Sequence, residues 1–410
     1  MRARIFCTAL LLLLTATACT ATPEAVTEEP LLPTLVWEEE SETASIPMGG
    51  YPRFLSLNDG RLLLFNEGWL CTSEDCGTSF SYKPIVQNAA KTAVSASGKT
   101  HTLSQENWQG FVTESGDILV AYRSRTKDYT SGEFYTSIRV MTSTDNAKTF
   151  ANEVIVAEAT TDSFHGFWEP FMIQPSEGEI LLFYSDDLHV TLPAMQQNIV
   201  YHTYSVKNGT WSDASVAING AKRASRDGMP VLTKLQDGGY AMVIETQDYC
   251  NRFLGINYGT SVFVISISLS EDGKTWTEPT PIIAPENIRG ENRCAAPFIT
   301  TIPDGRVIVS YMGDDGFSGT KVGDPVLNCV YGAVISTRPL SSTDRFSPTV
   351  GGTAEGFAPL ADVFADPENG YMVWNTVYCD GKYVYFAGNS GANDGSFPNS
   401  IRIRRATVEQ

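Results

Sequence analysis

The sequence predicts an all-β protein built as a six-bladed β-propeller, and three observations lead to this prediction. The chain has 410 residues with 34 glycines, and it is rich in the residue types that favour strands and turns. An apolar strand, a glycine-containing turn and a second apolar strand recur six times. A second turn pattern, close to Ser-x-Asp-x-Gly-x-Thr-aromatic, follows several of these hairpins. Each propeller blade is a four-stranded sheet, so six such units predict six blades.

The six hairpins recur at a regular interval. Successive turn glycines lie 56 to 76 residues apart: Gly60, Gly116, Gly178, Gly238, Gly305 and Gly381. A set of β-sandwiches is the alternative, and the regular spacing favours the propeller. The stretch from Leu35 to Ile46 is predicted to form a closing strand beside the C-terminal strand at 400–404.

The second turn pattern resembles the Asp-box of sialidase-type propellers. It has two full copies, one shorter copy and one degenerate copy: Ser73–Phe80, Ser143–Phe150, Ser270–Trp276 and Asn208–Trp211. In an Asp-box the Asp and Gly shape a turn between two outer strands, while the aromatic side chain packs inward. Asp75 and Asp145 are therefore predicted to be structural residues rather than catalytic ones.

The N-terminus is predicted to direct export. Arg2 and Arg4 precede an apolar run and then Ala16-Thr17-Ala18-Cys19. Ala16 to Ala18 fit ordinary signal cleavage, and with Cys19 they also resemble a bacterial lipobox. An acidic, proline-containing stretch follows, which favours the lipoprotein. We expect residues 1–19 to be a signal peptide, 20–34 an acidic tether and 35–410 the propeller. The protein is then a cell-surface or outer-membrane lipoprotein, or otherwise secreted or periplasmic.

Charge and motif content narrow the partners. The formal net charge of -18 argues against nucleic acid, which is bound by clustered Lys and Arg. Contact with a membrane is expected only through a lipid on Cys19. No metal-binding motif is present and the four histidines are scattered, so we expect neither a metal nor a cofactor. The protein is expected to be a monomer.

Six cysteines remain after Cys7 and Cys19 are set aside: Cys71, Cys76, Cys250, Cys294, Cys329 and Cys379. Export permits disulfides, and a Cys71–Cys76 bond would close a small loop. The spacing leaves the other pairings open.

Propeller topology predicts which residues share a face. The residues just before the first strand and just after the second strand of each blade meet on one face, while the Asp-Gly turns and Asp-boxes occupy the other. The first group comprises Arg53, Glu67, Trp108, Arg123, Arg125, Trp168, Glu169, Asp186, Asp187, Arg226, Asp227, Glu245, Arg293, Asp314, Asp315, Trp374, Asn375 and Asn389. A single acidic residue after a strand is often only a solvated carboxylate, but many of them converge here.

Carboxylates, arginines and tryptophans around one funnel suit a sugar and its hydrolysis. A retaining glycosidase holds a nucleophile and a proton donor about 5–5.5 Å apart. Glu169 near arginine is expected to stay ionised as the nucleophile. Glu245, which follows an apolar strand, is expected to have a raised pKa as the donor. The predicted substrate-binding residues are Arg53, Trp168, Asp186, Asp187, Arg226, Asp227, Arg293 and Trp374.

Several motifs resemble glycoside hydrolase family 93, the six-bladed exo-α-1,5-L-arabinanases of the sialidase superfamily. They are Trp168-Glu169-Pro170, Tyr184–Asp187, Arg226–Pro230 and Glu245, and the likeness extends from about Gly49 onward. The resemblance implies that Glu169 is the nucleophile, that Glu245 is the acid/base and that configuration is retained. It implies arabinan side chains of pectin as the substrate. The family's Arg-Pro-Gly-Met stretch has Asp227 in place of its proline, which bears on sugar preference.

Two alternatives remain open. A sialidase would bind the sialate carboxylate with Arg53, Arg226 and Arg293. Against it, Tyr51-Pro52-Arg53 reverses the usual Arg-Ile-Pro opening, and no tyrosine with an adjacent glutamate stands out. The third possibility is a lipid-anchored propeller that binds glycans without cleaving them, which the presence of both Glu169 and Glu245 disfavours.

Overall fold

The computed structural model describes residues 35–37, 44–188, 196–248, 262–286, 293–315, 328–360, 363–364, 370–392 and 400–408. These residues form six antiparallel sheets, which confirms the predicted all-β, six-bladed β-propeller. The first strands of adjacent blades contact one another in a closed ring. The predictions for residues 1–34 lie outside the described residues, and no helix among the described residues is long and apolar enough to span a membrane.

The first half of the chain supplies two leading strands and three blades. The leading strands are β1 (Leu35–Trp37) and β2 (Ala44–Ile46). Blade one contains β3 (Arg53–Ser56), β4 (Leu62–Asn66), β5 (Trp69–Ser73) and β6 (Ser81–Pro84). Blade two contains β7 (Thr92–Val94), β8 (Thr100–Val112), β9 (Ile118–Thr126), β10 (Phe134–Ser143) and β11 (Ala151–Thr161). Blade three contains β12 (Phe167–Ser176), β13 (Glu179–Asp186), β14 (Asn198–Ser205), β15 (Thr210–Trp211) and β16 (Ser215–Ile218).

The second half supplies the other three blades. Blade four contains β17 (Ser225–Lys234), β18 (Tyr240–Asp248), β19 (Phe263–Ser270) and β20 (Thr280–Ala284). Next come β21 (Cys294–Thr301), β22 (Val307–Gly313), β23 (Val330–Ser336), β24 (Gly352–Thr353) and β25 (Phe357–Pro359). Of these, β24 extends blade four and the others form blade five. Blade six contains β26 (Gly370–Cys379), β27 (Tyr383–Ala392) and β28 (Ser400–Val408). Within the described residues the helical segments are a 3-10 helix (Val86–Asn88) and α1 (Gly220–Arg223).

The second strand of each blade is apolar on both faces because it packs against the neighbouring blade on each side. Every residue of β4 is buried, and all but the first residue of β13 are buried. Continuous burial favours an unbroken run of apolar residues over strict alternation. In five of the six blades the turn between the first and second strands carries a glycine at positive φ, for example 88° at Gly60 and 90° at Gly238.

The ring closes through pairing between the two ends of the chain. The strands β1 and β2 both pair antiparallel with β28, with Trp37 opposite Ala406 and Ala44 opposite Ile403. The predicted closing strand is therefore confirmed, as two short strands rather than one.

The Asp-boxes have the structural role that the sequence predicts. The backbone N–H of Thr149 donates to Asp145 Oδ1 at 2.8 Å, and its hydroxyl donates to Oδ2 at 2.6 Å. Bonds from Thr149 lower the pKa of Asp145, and Phe150 is buried. Asn146 Nδ2 donates to Asp59 Oδ2 at 2.7 Å, so the Asp-box turn and the Asp-Gly turn share one face.

The five cysteines within the described residues are free thiols: Cys71, Cys76, Cys294, Cys329 and Cys379. The small loop expected from a Cys71–Cys76 bond is not formed. Cys71 is fully buried in the core between blades one and six, whereas Cys76 lies in the Asp-box turn. Cys250 lies outside the described residues.

Candidate active site

A β-bulge recurs near the start of the innermost strand in five of the six blades. At each bulge the ladder shifts register and a non-glycine residue adopts positive φ. The residues are Asn107 (57°), Glu169 (43°), Met229 (52°), Ala296 (49°) and Trp374 (56°). Positive φ is uncommon outside glycine, and bulges redirect side chains. In blade three the redirected residue is Glu169.

Glu169 lies among charged groups from three other blades. Burial raises the pKa of Glu169 to about 7. Arg123, Arg226 and Arg53 act in the opposite direction by favouring its anion, and the charge of Glu245 adds to the rise. The structure therefore brings together the two predicted glutamates, Arg53 and Arg226. Burial outweighs the arginines in its effect on this pKa, and the ionised, nucleophilic role expected for Glu169 stays a prediction.

Glu245 is held at both carboxylate oxygens. Arg226 Nη1 lies 2.7 Å from Glu245 Oε1, and the backbone N–H of Ala296 donates to Oε2 at 3.1 Å. Ala296 is the bulge residue of blade five, so that bulge positions a donor for its neighbour in blade four. The Glu245 side chain is nearly buried, with 6% of the residue exposed.

Trp168 is held in place by two polar groups. Its Nε1 donates to Asp187 Oδ2 at 3.1 Å, and the Arg123 guanidinium lies over its ring at 4.1 Å from the centroid. Asp187 also accepts from the Gly166 N–H and lies 3.5 Å from His165 Nδ1. Burial raises the pKa of Asp187. Asp187 therefore orients Trp168.

Asp186 and Asp227, which were predicted to bind substrate, are both buried in this structure. Asp186 is 2% exposed and accepts from the Leu188 N–H at 2.8 Å. Asp227 is fully buried, with Arg223 Nη1 at 2.8 Å and a 2.8 Å bond from the Ser225 hydroxyl. Burial raises the pKa of Asp227. Successive side chains of a strand face opposite sides, so these aspartates are turned into the protein.

Arg293 and Trp374 have other neighbours than expected. The Arg293 backbone N–H donates to Asp314 Oδ1 at 2.7 Å. The arginines that act on Glu169 are instead Arg53, Arg123 and Arg226. Trp374, a bulge residue, stacks on Tyr51 with ring centroids 4.3 Å apart.

Tyr51 and Glu67 belong to the same cluster; the sequence placed Glu67 on the predicted face, but neither residue was predicted to act in catalysis or substrate binding. Burial, with the charges of Glu169 and Glu67, raises the pKa of Tyr51 well above its usual value. Burial also raises the pKa of Glu67 to about 7. A tyrosine therefore does lie beside a glutamate here, which corrects one of the arguments against a sialidase. Tyr51-Pro52-Arg53 was the available signal, because it precedes the first strand of blade one.

The remaining residues of the predicted face have packing roles. Trp108 is fully buried and stacks on Tyr122 at 4.1 Å. Asn375 Nδ2 donates to the Tyr311 carbonyl at 2.6 Å, and Asn389 is 7% exposed. Asp315 Oδ2 accepts from the Glu286 N–H at 2.7 Å.

Two cavities lie away from the glutamates. One of about 560 Å³ follows the axis between the innermost strands, with Arg53, Phe171 and Phe298 in its wall. The other, of about 360 Å³, lies between blades two and three near the Asp-Gly turns, with Tyr204 and Trp211 in its wall. Within the described residues no group of three or more His, Cys, Asp and Glu side chains is arranged to hold a metal ion.

Solved structures with the same fold include glycosidases of the family that the motifs resemble. An α-L-arabinanase of Penicillium chrysogenum, complexed with arabinobiose, is 18% identical with a TM-score of 0.57. The GH93 α-L-arabinofuranosidase of Fusarium graminearum, also with arabinobiose, is 17% identical with a TM-score of 0.56. Each match covers 92% of this chain and 97% of the other. A Dyadobacter fermentans protein of unknown function matches at 13% identity and a TM-score of 0.56, covering 92% of this chain and 98% of its own.

These matches show the fold of the protein. The resemblance to family 93 is confirmed in the fold, which this chain shares with arabinan-active propellers of that family. No protein-family model and no curated protein matches the sequence.

Removal of Arg123 should raise the pKa of Glu169 further. Arg123 is the strongest of the groups that favour the Glu169 anion, so Arg123→Gln takes away a stabilising charge. The midpoint should rise from about 7 and can be read by carboxyl ¹³C NMR of glutamate-labelled protein. The signal is assigned by its loss in Glu169→Gln. Arg61→Gln, in an exposed pair with Asp59, is the matched control and should leave the midpoint unchanged. An unchanged Glu169 midpoint in Arg123→Gln would contradict the claim that the Arg123 charge favours the Glu169 anion.

Proposed function

We propose that this protein is a retaining glycoside hydrolase that acts from the chain end on α-1,5-linked L-arabinan through Glu169 and Glu245. The observation that carries the proposal is that Glu169 and Glu245 converge from adjacent blades of one propeller, where Arg226 binds Glu245 at 2.7 Å and its charge also acts on Glu169. The arabinobiose in the two solved structures with this fold supports an arabinan substrate.

The proposed reaction is a double displacement. Glu169 attacks the anomeric carbon while Glu245 gives its proton to the departing glycosidic oxygen, so the sugar is transferred to Glu169. Glu245 then removes a proton from water, and the resulting hydroxide displaces Glu169 with a second inversion. The net change is one bond hydrolysed with the configuration retained.

The charges of the resting site favour the opposite division of roles. Glu245 is ion-paired with Arg226, whereas the pKa of Glu169 is raised to about 7, which suits a proton donor. The motif resemblance favours Glu169 as the nucleophile, and we propose that division. The products of glutamate variants can distinguish the two divisions of roles.

Azide should assign the two roles. Either glutamate replaced by alanine or glycine should lose about 10²–10⁴-fold in kcat. In Glu245→Ala, azide should attack the sugar on Glu169 and release a glycosyl azide of retained configuration from an aryl arabinobioside. In Glu169→Gly, azide should replace the nucleophile directly and give the inverted azide.

The configuration of each azide is measured by NMR. Glu114→Gln, on the face of the Asp-Gly turns, is the control and should keep full activity. The reverse pairing of variants and configurations would exchange the roles of the two glutamates. Full activity in both variants would end the proposal.

A sialidase is the second candidate, and one observation favours it. Tyr51 lies beside Glu169, and three arginines surround that glutamate: Arg53, Arg123 and Arg226. A tyrosine activated by a glutamate and an arginine cluster for a carboxylate would suit a sialoside.

Product analysis should separate the candidates. The purified protein is offered linear 1,5-arabinan and a sialyl conjugate in parallel, and products are resolved by chromatography. We expect arabino-oligosaccharides from the first substrate and nothing from the second, because the motifs resemble those of arabinanases. Release of sialic acid would replace our proposal with the sialidase, and binding of either glycan without product would support a non-catalytic lectin.

We also propose that the protein is exported and carries a lipid on Cys19. The support is the charged and apolar N-terminal sequence that ends at Cys19. Cys19→Ser should move the protein from the membrane fraction to the soluble exported fraction in a bacterial host, because the lipid anchor is lost. Membrane retention of the variant would contradict lipidation, and an uncleaved N-terminus inside the cell would contradict export.

A further inference from the structure

Phe164 is an exposed aromatic residue at the edge of the candidate site. The residue is 45% exposed, although its ring centroid lies 5.0 Å from that of Phe134 and 5.4 Å from that of Trp168. Trp168 immediately precedes Glu169 in the chain. Phe164 therefore adds one exposed ring beside Trp168.

An arginine–glutamate network supports both aromatic rings. Glu106 pairs with Arg123 and with Arg125, whose Nη2 lies 2.7 Å from Oε1. The Arg123 guanidinium lies over the Trp168 ring at 4.1 Å, and that of Arg125 over the Phe164 ring at 5.3 Å. One carboxylate thus fixes two guanidinium groups, and each of these occupies one ring face.

Backbone and side-chain bonds hold the loop that carries Phe164. The Thr161 hydroxyl donates to the Ser163 carbonyl at 2.7 Å. Gly166 donates its N–H to the Asp187 carboxylate, and the Asp187 N–H donates to the Gly166 carbonyl at 3.2 Å. Asp187 also orients Trp168, so the loop and the tryptophan share one anchor.

The two rings differ in what they offer a ligand. Trp168 is enclosed by Arg123, Asp187 and the Phe164 ring, which limits it to a supporting role. Phe164 keeps nearly half of its surface in solvent. Exposed aromatic rings offer sugars an apolar face, since the C–H groups of a sugar pack on the ring.

We propose that Phe164 is the platform for a sugar ring further along the chain than the ring held at Glu169, one that only chains longer than the shortest cleaved chain possess. This inference rests on the proposed glycosidase function and deepens it. It makes Phe164 a specificity residue that favours longer oligosaccharides. The Glu106 network is a positioning unit for it.

The effect of Phe164→Ala should depend on substrate length. With 1,5-linked arabino-oligosaccharides of two to six sugars, kcat/KM should fall about 2- to 10-fold for chains that reach the platform. The shortest cleaved chain should be unaffected, so the ratio of wild type to variant should step up at one added sugar. Phe164→Tyr should restore the wild-type ratio and Phe164→Leu should not.

Controls separate this inference from misfolding and from the proposed function. Tyr82→Ala removes another half-exposed aromatic, on the edge strand β6, and should leave the ratio at one. Equal melting temperatures for wild type and Phe164→Ala show that the fold is kept.

Calorimetry in Glu169→Gln measures binding without turnover, and the same 2- to 10-fold loss should appear in Kd for long chains. The proposed role of Phe164 would be overturned if the ratio of wild-type to Phe164→Ala kcat/KM did not depend on chain length. Equal Kd values for long chains with and without the Phe164→Ala change would also overturn it. If Phe164 strengthens binding of long chains but the wild type hydrolyses none of them, the proposed glycosidase function is overturned while the role of Phe164 in binding stands.

Discussion

The bulge at the start of the innermost strands is the constraint on which the candidate site depends. In a regular ladder, successive side chains would face the two neighbouring blades and none would face the axis. The extra residue at positive φ turns one side chain per blade out of this pattern, as it does for Glu169 and Trp374. At Ala296 the same bulge presents a backbone N–H, which donates a hydrogen bond to Glu245. One repeated backbone feature thus places both a carboxylate and a donor for another carboxylate.

The charge on the site follows from a competition between burial and arginine. Removing Glu169 from water opposes ionisation, and Arg123, Arg226 and Arg53 offset that only in part. Arg123 also supports the aromatic rim of the site, because its guanidinium lies over the Trp168 ring and pairs with Glu106. The electrostatics of the carboxylates and the shape of the aromatic rim are therefore coupled through one side chain.

Much of the fold could be read from local patterns. Turn glycines, Asp-boxes and the closing strands are features of short stretches, and each has its predicted place. The site was predicted less completely. Glu169 and Glu245 converge with Arg53 and Arg226, whereas Asp186 and Asp227 are buried and Arg293 binds Asp314 through its backbone. The side chains of adjacent residues in a strand point to opposite sides, so sequence position alone did not distinguish residues that face the site from residues that face the core.

The sequence alone determined the number of blades and the strand ends that carry the two glutamates, because periodicity and turn chemistry are local properties. A proline after the bulge residue, as at Pro170, Pro230 and Pro297, is a local trace of the bulges as well. Only the tertiary structure decided which charges surround Glu169, that Tyr51 lies beside it, and that Phe164 stays nearly half exposed. Those properties depend on contacts between residues that lie far apart in the chain, as Tyr51 and Glu169 do, and local periodicity does not specify such contacts.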